Sequence, residues 1–328
     1  MGSVTDPEVV DFAGHYYPEI PEELKAKHDD IESFDGSPIC TDLDTYLQRY
    51  KDAGVDKAVL SQPFYMGARG DRDADAVAAV NDALIEEIEP YDELFGLAAI
   101  PVAEGGETAA QELERCLDAG YNGGALETMS GGIELIDEEV EPVLEVADRT
   151  GAPVMVHPNS SFQEDSSPGP TGADDRWLIN SVMGTEFALA ESLIKVVHEG
   201  VLERYPNLTL VFHHNGGNIP SLLGRLEMWL KRTHRTGGEH LKTFPEFARH
   251  MEERVYIDTA GYDGDLGAYS NTFKTFPASS VLFGTDFPYE TVEVETFERL
   301  IDSMRELLPG VEAEQVLGQN TLDLLINK

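Results

Sequence analysis

Eight short apolar runs, at 9–13, 57–61, 95–100, 123–126, 153–156, 208–212, 255–258 and 280–284, punctuate the chain, and stretches of helical period separate most of them. Helical patterning covers 41–53, 73–88 with Val77, Val80 and Leu84 on one face, 107–119, 137–150, a stretch ending near 201, 220–231, and the C-terminal part 293–328. Strands that alternate with helices predict a parallel sheet. Eight is the number that closes a (β/α)8 TIM barrel. An open doubly wound sheet would need a nucleotide crevice, and neither a G-x-G-x-x-G fingerprint nor a Walker loop occurs. No linker divides the 328 residues, so the expectation is an α/β chain forming one domain over 1–328. The segment 159–175, NSSFQEDSSPGPTGADD, has neither period and is expected to form an irregular loop over the barrel mouth.

Barrel enzymes carry their chemistry at the carboxyl ends of the strands. The residues expected there are His15, Gln62, Pro101, Glu127, His157, His214, Asp258 with Thr259, and Asp286. Three of the nine histidines therefore fall at strand ends. Imidazoles and a carboxylate converging on one mouth suit a divalent metal, and a catalytic zinc typically takes three protein ligands and keeps one position open. His15, His157 and Asp286 can supply the three. His214 is either a fourth ligand or a base beside a bound water. The stretch from Val211 to Pro220, VFHHNGGNIP, delivers a histidine pair into a glycine turn where backbone and ligand can approach closely.

Charge sets the environment. Lys and Arg number 23 against 62 Asp and Glu, a net −39 spread along the chain. Apolar content is ordinary, so the acidity does not signal disorder. A folded protein this acidic needs salt to screen its self-repulsion, which points to the cytoplasm of a salt-loving organism. No basic stripe exists to meet nucleic-acid phosphates. Cys40 and Cys116 are too few and too far apart for a disulfide framework or a thiolate metal site. The first ten residues lack a signal-peptide pattern, and no apolar run reaches membrane-spanning length.

Several of these pieces together resemble the amidohydrolase superfamily, specifically amidohydrolase family 2 and its aminocarboxymuconate-semialdehyde decarboxylase-like branch. The matching pieces are Asp11 to Pro18 around His15, Val156-His157-Pro158, His214-x-Gly216-Gly217-x-x-Pro220 followed by Gly224-Arg225, Gly284-Thr285-Asp286-x-Pro288, and Val316 to Asn320. They occur in order over nearly the whole chain. The resemblance implies one divalent metal in a distorted barrel, Zn2+ with Mn2+ as the alternative. His15 and His157 would be ligands, and Asp286 a ligand that also handles protons. His214 would act on the metal-bound water. Arg225 matches an arginine that decarboxylase members present to the substrate carboxylate of a neighbouring subunit, which implies a homodimer.

One position departs from the family. Its first strand ends in His-x-His or Glu-x-His, whereas here the sequence is Ala13-Gly14-His15. By strand alternation Asp11, Ala13 and His15 should share the inward face, so Ala13 stands where a ligand is missing. His15, His157 and Asp286 can hold the ion alone, or Glu127, Asp11 or a water can fill the gap, or the site is weakened. Aromatic residues cluster near the same mouth, and Tyr16, Trp177 and Phe287 are the candidate pocket lining for a planar or apolar substrate. The functional expectation is a metal-dependent decarboxylase (C–C lyase) or hydrolase acting on a small carboxylate-bearing, possibly aromatic, substrate. The alternative is a non-catalytic barrel that binds a small molecule, with Ala13 as the mark of lost chemistry.

Overall fold

The computed structural model describes residues 8–19, 38–62, 74–159, 178–232, 238 and 240–326. Each apolar run becomes a parallel strand: β1 (Val10–His15), β2 (Lys57–Ser61), β3 (Leu94–Ala99), β4 (Gly123–Glu127), β5 (Val154–His157), β6 (Leu210–Phe212), β7 (Val255–Asp258) and β8 (Val281–Leu282). They pair in sequence order, β1 to β8. The segment after β8 returns to β1: Phe12 donates its N–H to the Phe283 carbonyl at 2.8 Å, and His15 donates to that of Phe287 at 2.7 Å. The result is a TIM barrel of eight parallel strands.

Period-two alternation sorts the side chains into two layers. Val59, Leu97, Ala99, Ala125, Met155, Val211 and Leu282 fill the interior together with Ala13. Their outward neighbours, among them Leu60, Ala98, Leu126, Val156 and Phe212, pack under the surrounding helices. Those helices are α1 (Leu43–Ala53), α2 (Ala74–Ile88), α3 (Gly106–Asp118), α4 (Glu141–Thr150), α5 (Thr185–His198), α6 (His213–Leu230), α7 (Phe244–Glu253), α8 (Leu266–Thr272), α9 (Val294–Leu307) and α10 (Asn320–Ile326). Their signals are local. The Asp42 side chain caps α1 by accepting from the Thr45 N–H at 2.9 Å, and Gly54 ends it at φ 74°. On α3, Ala109, Leu113 and Cys116 form the buried stripe.

Four departures from the sequence-based expectation have physical causes. First, α7 and α8 occur where no helix is anticipated. Second, the C-terminal part is not one helix: α9 stops before the extended Leu308 and Pro309, which fills the N-cap of a short helix, Gly310–Glu314. Third, β1 carries a bulge. Asp11 pairs with Ala58 but Gly14 pairs with Leu60, so β1 holds one residue more than its partner between those points.

The fourth departure follows from the third. The extra residue breaks the alternation that would put Asp11 and His15 on one face. The carboxylate of Asp11 instead accepts from Tyr50 Oη of α1 at 2.8 Å and from the hydroxyl of Thr285. Asp11 therefore does not fill the gap at Ala13. Among the described residues no helix is long and apolar enough to cross a membrane. Asn159 is the one described residue of the expected mouth loop; 160–177, including Trp177, lie outside the described residues.

Candidate metal centre

The strand ends bring His15, His157, His213 and Asp286 together, with one donor atom from each lying within 4.8 Å of all the others. All four residues are buried. His15 ends β1 and His157 ends β5. His213 follows β6 directly, and Asp286 lies just beyond β8 at φ 54°. The His15 and His157 rings meet edge to face at 5.3 Å, and the His157 and His213 rings stack at 5.2 Å.

Each imidazole is aimed by its second nitrogen. His15 Nδ1 lies 2.9 Å from Ser61 Oγ, His157 Nδ1 lies 2.9 Å from the Pro158 carbonyl, and His213 Nδ1 lies 2.6 Å from Asp258 Oδ2. An imidazole that gives its Nδ1 proton to such a partner presents a lone pair at Nε2. His15 Nε2 comes within 2.9 Å of Asp286 Oδ1 and His213 Nε2 within 3.5 Å. Close as they are, none of these atoms makes a hydrogen bond of acceptable geometry: His15 Nε2, His213 Nε2 and Asp286 Oδ1 are buried without a partner. Buried polar atoms are nearly always satisfied. Donors that converge on one point while missing each other are what a cation requires, so the residues present fit a divalent metal.

For His15 and His157, protonation agrees with that fit. Burial depresses the pKa of His15, and depresses that of His157 well below the ordinary value with help from His213 and His15. Both are therefore neutral donors. Burial works against a charged His213, but Asp258 and Asp286 together raise its pKa. Asp286 stays ionised in spite of its burial because His15, His213 and His214 all surround its carboxylate.

His214 stands on the other side of Asp286. Its Nε2 lies 3.6 Å from Oδ2, while its Nδ1 meets Glu186 Oε1 at 3.0 Å. Tyr262 donates its hydroxyl to the second Glu186 oxygen. Burial opposes the charged form of His214, yet the neighbouring carboxylates of Asp286 and Glu186 raise its pKa well above the ordinary value. His214, Asp286 and the exposed Glu290 form a second group that shares Asp286 with the first.

A left-handed turn separates the two histidines. His214 to Asn218 have φ between 50° and 67°, so five successive residues run in the left-handed region before the right-handed part of α6 begins. Gly217 is required there: a Cβ would sit 2.2 Å from the Glu186 carbonyl oxygen.

The other expected site residues lie elsewhere. Glu127 is buried beside His157 in the strand register, but its carboxylate accepts from Asn159 Nδ2 at 3.2 Å and it is outside the donor group. Tyr16 turns away from the mouth, donating to Glu87 and packing on Tyr46. Phe287 is buried against Tyr46, Tyr50 and Phe297, in the layer between barrel and helices. Neither therefore lines a pocket. Among the described residues, Tyr289 lies 5.5 Å from the His15 ring and Tyr17 lies 6.3 Å from Tyr289. Arg225 is exposed on α6. The member of the donor group missed from sequence is His213. Counting from Gly216, Gly217 and Pro220 singled out His214, whereas the two-residue step from the inward Val211 would have pointed to His213.

An α/β barrel with buried histidines and a carboxylate gathered at the strand ends defines the class of metal-assisted barrel enzymes. The chain belongs to the amidohydrolase family, which its residues 10–325 match. It is 28% identical over 295 residues to a 2-amino-3-carboxymuconate-6-semialdehyde decarboxylase of Dictyostelium discoideum, covering 87% of this chain and 77% of the relative. It is 23% identical over 264 residues to a gamma-resorcylate decarboxylase of a Rhizobium species, covering 76% and 78%. Among solved structures, the 5-carboxyvanillate decarboxylase of Novosphingobium aromaticivorans, complexed with manganese and 4-hydroxy-3-methoxy-5-nitrobenzoic acid, superposes with a TM-score of 0.80 at 17% identity, over 99% of this chain and 97% of that one.

Proposed function

We propose that the chain is a single-domain, metal-dependent decarboxylase of small carboxylic acids with a planar or aromatic frame. The observation that carries this reading is the convergence of buried donors from His15, His157 and His213 on Asp286, with His15 Nε2, His213 Nε2 and Asp286 Oδ1 left without hydrogen-bond partners. Relatives named as decarboxylases support the reaction type. Ala13 spoke for a non-catalytic barrel, but the donor group is complete enough without it.

His15, His157 and Asp286 would hold the ion. Two imidazoles with one carboxylate suit zinc, while manganese is the ion named with the 5-carboxyvanillate decarboxylase. When bound, the ion supplies positive charge that holds and polarises the oxygens of the substrate. The Tyr289 and Tyr17 rings offer a wall for a planar acid. His214, kept protonated by Asp286 and Glu186, carries a proton at Nε2 beside the site. The bond to the carboxylate breaks, its electron pair stays on the carbon, carbon dioxide leaves, and that proton goes to the carbon.

Leu222, Arg225 and Trp229 lie at helical spacing on an exposed face of α6, and Val182, Met183 and Phe187 are exposed at and before the start of α5, the helix that packs on α6. Exposed apolar groups on so acidic a protein mark an interaction face. We assign it to a homodimer that carries Arg225 to the partner's substrate. The net charge of −39 suits work in a salt-rich cytoplasm.

The test is to load purified protein with zinc or manganese in high salt and offer it 2,6-dihydroxybenzoate, the ligand of another structural neighbour, together with 5-carboxyvanillate, aryl esters and lactones. Release of carbon dioxide with solvent deuterium placed on the vacated carbon is expected. Ester or lactone hydrolysis without carbon dioxide release would replace decarboxylation with hydrolysis.

A further inference from the structure

Ala13 and His213 flank the same carboxylate. A Cβ placed on Gly284 would lie 3.0 Å from Ala13 Cβ and 2.9 Å from Asp258 Cβ, so Ala13 and Asp258 meet at one point of the barrel wall. Asp258 is fixed there: it accepts from the Ala260 N–H at 3.0 Å and the His214 N–H at 3.2 Å. Its other oxygen takes His213 Nδ1 at 2.6 Å. A histidine serving only to pack the barrel would satisfy both nitrogens. His213 satisfies one and leaves Nε2 buried, unpaired and aimed at Asp286.

The left-handed turn then divides the pair. His15 and His213 face Oδ1 of Asp286, whereas His214 faces Oδ2. From this geometry we propose that His213 supplies the coordination that β1 lacks at Ala13. The site becomes His15, His157, His213 and Asp286, with Asp258 as positioning residue and His214 free for proton transfer. A ligand has moved from the first strand to the sixth, and the small Ala13 is its complement. Ala13 leaves barrel volume beside Asp258 that a histidine there would occupy. The proposal rests on the metal-dependent reading above.

Metal content, not activity, tests it. Wild type, H213A, H213Q, H214A, D258N and the A13H/H213A double variant are stripped with chelator, reconstituted with zinc or cobalt, and dialysed in high salt. Ion content is measured by mass spectrometry, cobalt coordination by visible absorption, and fold by circular dichroism. H213A and H213Q should each lose affinity by at least ~100-fold, and D258N by ~10–100-fold, the usual effect of removing a ligand's hydrogen-bond partner. H214A should keep the ion. A13H/H213A should regain it, because the imidazole returns to the first strand. H213Q keeps most of the side-chain volume, so it stands in if H213A fails to fold. Full occupancy in both His213 variants overturns the proposal, as does equal loss in H214A or a folded double variant that stays empty. A wild type that takes up no ion overturns the metal-dependent function itself, a distinct outcome.

Discussion

Asp11 is a buried carboxylate that, among the described residues, meets hydrogen-bond donors and no cation. Besides Tyr50 and the Thr285 hydroxyl, the N–H groups of Ala13 and Thr285 donate to it at 2.9 and 3.1 Å. Together these bonds tie β1 across its bulge to α1 and to the segment that carries Asp286. Burial outweighs all of them and raises the pKa from 3.8 to about 6, with repulsion from Asp258 adding to the rise. Between those pH values the folded chain keeps a proton that the unfolded chain releases. The stabilising contribution of this group is therefore complete below pH 3.8 and is lost as pH rises through about 6. Asn at this position does not titrate. Chemical unfolding of D11N and wild type across this range should shift their stability difference by about 3 kcal/mol in favour of D11N as pH rises. A difference that stays constant would mean that Asp11 is ionised throughout.

The left-handed turn from His214 to Asn218 does the same kind of work at the scale of an element, because it decides which histidine faces which oxygen. Non-glycine residues resist this conformation, at about 1–2 kcal/mol each, and three of the five, His214, Asn215 and Asn218, are not glycine. The turn is held by close packing on α5: a Cβ on Gly217 would lie 2.2 Å from the Glu186 carbonyl oxygen and 2.4 Å from the Ala190 nitrogen. Backbone atoms cannot step aside, so G217A should lose about 2–5 kcal/mol from backbone strain and overpacking together. Gly224, six residues beyond Asn218 on the same element, has nothing within 4 Å of its Cβ position. G224A should therefore gain about 1 kcal/mol of helix propensity. Equal effects of the two substitutions in thermal unfolding would remove the turn from this account. The glycines here were legible in the sequence, as were the eight strands, because both depend on local period and local backbone freedom. The bulge in β1 was not, since it is set by pairing with β2, and it misled the reading of Asp11. The choice between His213 and His214 needed the fold, because the turn breaks the simple alternation that follows a strand. The missed helix α7 did carry a local signal: Thr243 and Glu246 form a capping box, with the Thr243 N–H donating to the Glu246 carboxylate at 2.8 Å.

Over the whole molecule, charge and apolar surface pull in opposite directions. In the proposed dimer the exposed face of Leu222, Arg225 and Trp229 would meet a partner, while 62 acidic residues repel one. If Arg225 completes the partner's site, R225A and H15A chains are each inactive, and each lacks what the other supplies. Refolding them together should return about a quarter of wild-type activity, since half of the dimers are mixed and each mixed dimer has one intact site. No recovery would place Arg225 outside the site. Both the fold and this association should depend on salt. The net −39 comes from acidic residues spread along the sequence, so repulsion acts throughout the fold and not within one tail. Its range contracts from a Debye length of ~10 Å at 0.1 M to ~3 Å at 1 M. Raising potassium chloride across that range should therefore raise the Tm and shift the population from monomer to dimer. Potassium acetate at equal ionic strength should do the same, because screening depends on ion valence and concentration, whereas sorbitol at equal osmolality should not reproduce the early, low-salt part of the rise. Scanning calorimetry and analytical ultracentrifugation measure both effects. A Tm that is flat between 0.1 and 1 M salt would show that local ion pairs, such as Arg115 with Asp82 and Glu112, already neutralise the repulsion that matters, and the salt-loving assignment would fall with it.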